Sequence, residues 1–196
     1  MPRASVETLR RSEIVDGAIR LIARKGYEAT TMRGLAAELE VSTGTITHWF
    51  ATKNQVLGAT LEELAVRFSD RVDVALTTAT TPSERLIALG DVSVPDTPER
   101  ADEERVWIEL GARAARTPVL AERHERLYNG WRDRMEQAVR DGIAAGVFAD
   151  VDAPAWARTY AALIDGLATH VLIHPESVTP ERMRAALRSH IVATLG

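Results

Sequence analysis

The sequence predicts an all-α protein, and three observations carry that prediction. No stretch shows the strict apolar and polar alternation of a half-buried strand. Apolar residues instead recur three and four positions apart almost throughout, which gathers them on one face of successive helices. Where that spacing breaks, glycine, proline or a short hydroxyl side chain stands, and these residues end and start helices. With 196 residues and 45% hydrophobic content the chain can bury a core without cross-links. It has no cysteine, which excludes disulfide frameworks, thiolate metal sites, iron–sulfur clusters and thiol nucleophiles together.

Ile14, Ala18, Leu21 and Ile22 line one face of a first helix that closes at Lys25-Gly26, because glycine adopts the left-handed backbone of a helix C-terminus without a steric clash. Thr31 is placed to cap a second helix carrying Leu35, Ala36 and Leu39, and Ser42 to cap a third with Ile46 and Phe50 inward. From Lys53 the positions Leu57, Leu61, Leu64, Phe68, Val72 and Leu76 extend one continuous helix, which Pro82 ends. Further helices are expected at residues 83–92, 99–116, 118–145, 153–173 and 180–195, with the Pro/Asp/Glu-rich residues 94–104 as a mobile loop. Residues 1–52 then form a head and residues 53–196 a body.

The net charge of −4 is unevenly placed. Residues 1–60 hold eight Lys and Arg against six Asp and Glu, a balance of +2, and the remainder holds sixteen against twenty-two, a balance of −6. Phosphate binding depends on the local field of the docking face, so the head suits nucleic acid and the acidic body would stand away from it. Residues 1–11 are charged and lack the apolar run of a secretory signal, and no apolar stretch reaches the length of a bilayer span. A cytoplasmic protein with no membrane partner is expected.

Two short helices pack closely when the first offers a small residue, the turn an apolar one and the second a β-branched one. Ala36, Val41 and Ile46 supply these in order, the arrangement of a helix-turn-helix. With those inward, the third helix presents Thr43, Gly44, Thr45, Thr47 and His48, short hydrogen-bonding groups and a glycine suited to close approach to a major groove. Lys53, opening the next helix, can meet a phosphate together with that helix's N-terminal amides. Spacing alone would equally suit a plain helical hairpin.

The surrounding residues decide between these. Thr30 to Ala36, Val41 to Phe50 and Lys53 closely resemble the DNA-binding signature of the tetracycline-repressor (TetR) family over about residues 10–58. That resemblance implies that Thr31 and Arg33 touch the DNA backbone while Thr43, Gly44, Thr45, Thr47, His48 and Trp49 enter or flank the groove. It also implies a ligand-responsive repressor that binds an inverted-repeat operator as a homodimer and is released by a small molecule. Two positions depart from the family pattern. Thr47 stands where tyrosine is usual and Trp49 where tyrosine or histidine is, which leaves the Trp49 indole N–H as the available donor. Glu40 stands where the turn commonly holds glycine, so a side chain is expected at positive φ.

Trp107, Tyr128 to Arg132, Gly142 to Phe148 and Leu163 to Leu167 resemble the ligand domain of the choline-responsive, BetI-type branch of that family. This implies a ligand cavity among the middle helices and a dimer made by the last two. Trp107, Tyr128, Trp131 and Tyr160 are the candidate aromatic walls, with Glu109 or Asp165 as countercharge for a cationic amine. Leu163, Leu167, Leu187 and Ile191 are the candidate dimer seam. Each aromatic at helical spacing would serve equally well as plain core. His124, His170, His174 and His190 are read as solvated or singly hydrogen-bonded, so no metal and no cofactor is expected. A helical enzyme or a protein-binding adaptor is the competing class. The sequence has no glycine-rich phosphate loop, nucleophile elbow, cofactor fingerprint or paired Glu-x-x-His, and an adaptor leaves the outward threonines unexplained.

Overall fold

The computed structural model describes residues 11–196, so the charged segment read at residues 1–10 lies outside the described residues. Among the described residues the chain forms α1 (Arg11–Ala29), α2 (Met32–Glu38), α3 (Thr43–Trp49), α4 (Lys53–Thr78), α5 (Pro82–Asp91), α6 (Pro98–Ala114), α7 (Pro118–Ala144), α8 (Ala153–Ile173) and α9 (Pro180–Leu195), with no strand. Local chemistry sets the helix starts. The side chains of Thr31, Ser42, Thr52, Thr81, Thr97, Asp152 and Thr179 each accept a backbone N–H from the first turn that follows. A cap of this kind stabilises a helix by about 1 kcal/mol over alanine. Proline occupies the first or second position of each helix from α5 to α9, where an N–H would have no helical partner. Gly26 interrupts α1 at φ 75°, where the sequence closes its first helix.

One expectation fails here. Residues 94–104 are not a loop throughout, because Thr97 caps and Pro98 opens α6, so that Glu99 to Glu104 form its first turns. Local capping outweighs the charged composition. The short connection before it is pinned by Val94, which is fully buried.

The interior divides into two apolar clusters. The first joins α1, α2, α3 and Val56 to Leu64 of α4 with Val106 and Leu110 of α6. The second joins α5, α7, α8 and α9 with Val72 of α4. The single helix α4 therefore runs through both.

The turn between α2 and α3 carries Glu40 at φ 56°, a left-handed backbone on a residue with a Cβ. Replacing Glu40 with glycine removes a steric cost of about 1–2 kcal/mol, partly offset by the extra freedom of glycine in the unfolded chain. Glu40→Gly is expected to raise the unfolding free energy by about 1 kcal/mol in chemical denaturation. No gain would mean that the turn is unstrained.

Candidate functional site

Ala36, Val41 and Ile46, at 3%, 8% and 0% exposure, close the contact between α2 and α3, and the Val41 N–H donates to the Ala36 carbonyl at 2.9 Å. Thr43, Gly44, Thr47 and His48 are exposed together on the outer side of α3. Trp49 follows, also exposed, its ring edge-on to His48. Thr45 is not among them. It is buried beside Ile46, and its hydroxyl shares a 2.9 Å hydrogen bond with that of Ser42. At about 100° per residue, positions 45 and 46 turn inward when 43, 44, 47 and 48 turn out, so Thr45 supports the helix start instead of reading DNA. The Thr47 hydroxyl donates to the Gly44 carbonyl at 3.1 Å and keeps its lone pairs for an external donor. Thr31 caps α2 through Gly34, with Arg33 exposed beside it.

Lys53 is held by its surroundings. Its Nζ lies 4.0 Å from the Tyr27 ring centroid and donates to the Glu28 carbonyl at 3.1 Å. Arg113 of α6 lies 4.0 Å from the same ring and pairs with the Glu28 carboxylate. The N-terminal amides of α4 are partly engaged already, since Thr52 accepts from the Gln55 N–H and Gln55 Oε1 accepts from Ala51 and Thr52. These contacts fix the ammonium group at the start of α4.

A cavity of about 320 Å³ lies among α4, α6, α7 and α8. Trp107, Tyr128, Trp131 and Asp165 line it, as do Phe68 and Glu104. Tyr128 donates its hydroxyl to the Asp165 carboxylate. Trp131 stands edge-on to Tyr128 at 5.5 Å and to Phe68 at 5.6 Å, and its indole N–H bonds to the Leu89 carbonyl at 3.2 Å. Trp107 stacks on His124 at 4.6 Å, and His124 on Tyr128 at 5.6 Å.

Two expected members lie elsewhere. Tyr160 is fully buried, stacked on Trp156 at 4.8 Å with its hydroxyl donating to the Leu86 carbonyl at 3.3 Å, so packing against α5 and α9 covers the ring a ligand would need. Glu109 sits across α6 from Glu104, facing α1, where its Oε1 is 2.8 Å from the place a Cβ on Gly26 would occupy. Glu104, and not Glu109, lines the cavity together with Asp165. The expected helix over residues 99–116 already held this residue, and its three-residue spacing from Trp107 puts both on one helix face.

Burial, reinforced by the Asp165 charge, pushes the Glu104 carboxyl up to about 8. Burial also raises Asp165, opposed by the hydrogen bond from Tyr128. Tyr128 is itself pushed upward by burial and then by Asp165, which keeps the phenol protonated. Burial lowers His124 and favours its neutral imidazole. At neutral pH Glu104 therefore holds a proton, and a cation placed beside it would favour its release.

The candidate dimer seam needs a correction. Leu187 and Ile191, at 2% and 4% exposure, point into the core of their own subunit and have no surface to offer a partner. Leu163 and Leu167 are only partly buried against that core. The outer side of α8 and α9 instead carries Ala162, Gly166, Ile173, Ala185, Ser189 and Val192, among which Ile173 and Val192 are the large apolar residues. His170 and His174 are exposed one turn apart on and just after α8, and among the described residues no group of three His, Cys, Asp or Glu forms a metal cluster.

Residues 14–60 match the family of bacterial regulatory proteins of the tetR type, and residues 82–196 match the family of BetI-type transcriptional repressors, C-terminal. The chain belongs to the TetR family, with a BetI-type C-terminal domain. The regulator BetI of Rhizobium meliloti (strain 1021) is 31% identical over 195 residues, covering 100% of this chain and 94% of that protein. The regulator PksA of Bacillus subtilis (strain 168) is 25% identical over 193 residues, covering 97% and 92%. A transcriptional regulator from Saccharomonospora viridis, solved in complex with choline, shares the fold with a TM-score of 0.89 at 31% identity over 94% of this chain and 96% of its own. This TetR-family protein is a DNA-binding transcriptional repressor with a ligand-binding C-terminal domain, and the relatives named here are regulators. Among the described residues no helix is long and apolar enough to cross a membrane.

Proposed function

We propose that this TetR-family repressor acts in the cytoplasm as a homodimer on an inverted-repeat operator, and that an organic cation of the quaternary ammonium class releases it. Residues 1–52 are the reading unit, and residues 53–196 sense and dimerise. The observation that carries the effector class is the cavity wall, in which Trp107, Tyr128, Trp131 and Phe68 accompany Asp165 and Glu104. Aromatic faces attract a desolvated cation by about 2 kcal/mol or more, and the buried carboxylates supply a countercharge that a neutral guest would leave unpaired. The choline bound to the Saccharomonospora viridis regulator supports the same class. The effector acts by preferring one of two head spacings, so its binding lowers operator affinity by that preference.

Titrating choline, polyamines and neutral hydrophobic compounds against the protein–operator complex tests this reading. Release by ammonium compounds is expected, and release by neutral compounds alone would overturn it. On the DNA side, Lys53→Ala should weaken binding to cognate and scrambled duplexes alike and reduce the salt slope by about one. Thr47→Ala should lose about 1–3 kcal/mol of discrimination at one position of each half-site. Equal losses on both duplexes for Thr47→Ala would remove it from the readers.

A further inference from the structure

The cavity holds more than a cation requires. Its lining includes Arg71, Arg100, Arg126 and Arg134 against Glu103, Glu104 and Asp165. Arg100 and Arg134 are answered by Asp96 at 3.1 Å and Asp73 at 2.6 Å. Arg71 depends on Glu103 at 2.9 Å, a carboxylate that also faces Arg67 at 3.8 Å. Even with Glu104 ionised by a bound cation, the lining holds four guanidinium groups against three carboxylates.

Three buried polar atoms on this lining have no hydrogen-bond partner: Arg71 Nε, Ser93 Oγ and Glu103 Oε2, the last facing the Arg71 guanidinium as an ion pair at 2.9 Å. Buried donors without acceptors are uncommon in folded proteins, and Arg Nε can only donate. A quaternary ammonium group has no lone pair and satisfies neither donor. An oxyanion can accept from either. The ring contacts also order the wall: Tyr128 holds Asp165, Trp131 follows Tyr128 at 5.5 Å, Phe68 follows Trp131 at 5.6 Å, and the Arg71 guanidinium lies 5.8 Å from the Phe68 ring. The contacts thus lead from the Asp165 carboxyl through three rings to the Arg71 guanidinium.

We infer that the effector is a zwitterion whose cationic group sits against the rings and Asp165 while its carboxylate or phosphate is received by Arg71 and Ser93. This rests on the cationic reading proposed above and narrows it. Of the small ammonium compounds, those carrying an oxyanion a few bonds from the nitrogen fit both ends. Those ending in a hydrogen or a hydroxyl leave the guanidinium end incompletely met.

Isothermal titration of the full chain tests this with tetramethylammonium, choline, phosphocholine and trimethylammonio carboxylates of increasing methylene spacing. The best-fitting zwitterion should bind about tenfold or more tightly than choline, the scale of one charge-assisted contact. Ser93→Ala and Arg71→Lys should each erase that preference while leaving tetramethylammonium binding unchanged, and Asp165→Asn should weaken all ammonium compounds together. Choline binding as tightly as every zwitterion would overturn the inference and leave the cationic effector standing. A zwitterion preference unmoved by both Ser93→Ala and Arg71→Lys would overturn the assignment of the anionic end. Failure of every ammonium compound to bind would overturn both readings.

Discussion

Affinity for a permanently charged ammonium effector should rise about tenfold per pH unit between about pH 6 and 8 and level off above that, because one proton leaves the cavity as the cation enters. The quaternary group does not titrate, so the slope belongs to the protein. Glu104 on α6 faces Asp165 from α8 and Tyr128 from α7, and its carboxyl lies near 8 through burial and then the Asp165 charge. A cation beside it favours the carboxylate. The same shift sets a sign for stability. Between the ordinary glutamate value of 4.5 and about 8, the folded chain holds a proton that the unfolded chain has lost, so the empty protein loses stability as pH rises through that window. Titration calorimetry in buffers of different ionisation enthalpy counts the released protons. Close to one is expected at neutral pH and close to none well above pH 8, and Glu104→Gln should flatten the profile. No release at neutral pH from the unaltered protein would mean that Glu104 is already ionised in the empty cavity.

Val192→Asp should yield a folded monomer at micromolar concentration and lower operator affinity by about two to four orders of magnitude, the gain that joint binding of two half-sites provides. Val192 is 72% exposed on α9, on the outer side that carries Ala185 and Ser189, so a charge there leaves the subunit core intact and meets the partner of the proposed homodimer. Leu187→Asp is the contrast. That residue is 2% exposed in the body core, so the carboxylate would be buried without a partner and the domain itself should lose cooperative unfolding. Sedimentation together with circular dichroism separates the two outcomes. A Val192→Asp variant that remains dimeric would place the seam on another face.

The contrast between those two leucine-like positions shows where sequence stops being informative. The spacing of Met183, Leu187, Ile191 and Leu195 announces an apolar stripe, but an inner stripe and a subunit seam share the same period, and only packing distinguishes them. Tyr160 was misplaced for the same reason, as an aromatic at core spacing that became core. Local signals were legible wherever they act alone. The Thr-Pro and Asp-x-Pro starts and the Gly26 break fix helix ends almost to the residue, and Ala36, Val41 and Ile46 specify the helix-turn-helix contact. Thr45 and Glu104 required the helical phase to be tracked one residue more finely.

The passage of α4 through both apolar clusters means that no slack tether joins the reading unit to the rest of the molecule. At 26 residues α4 is a rod about 39 Å long, and α1 packs against it and against α6 in the same apolar cluster. The recognition helix cannot tumble or drift independently. Each base pair inserted between half-sites displaces one of them by about 3.4 Å and turns it about 35° around the duplex axis. A pair of heads mounted on such rods has little play to absorb that offset, so the operator should be strict about the length of its spacer even where it is indifferent to the spacer's bases.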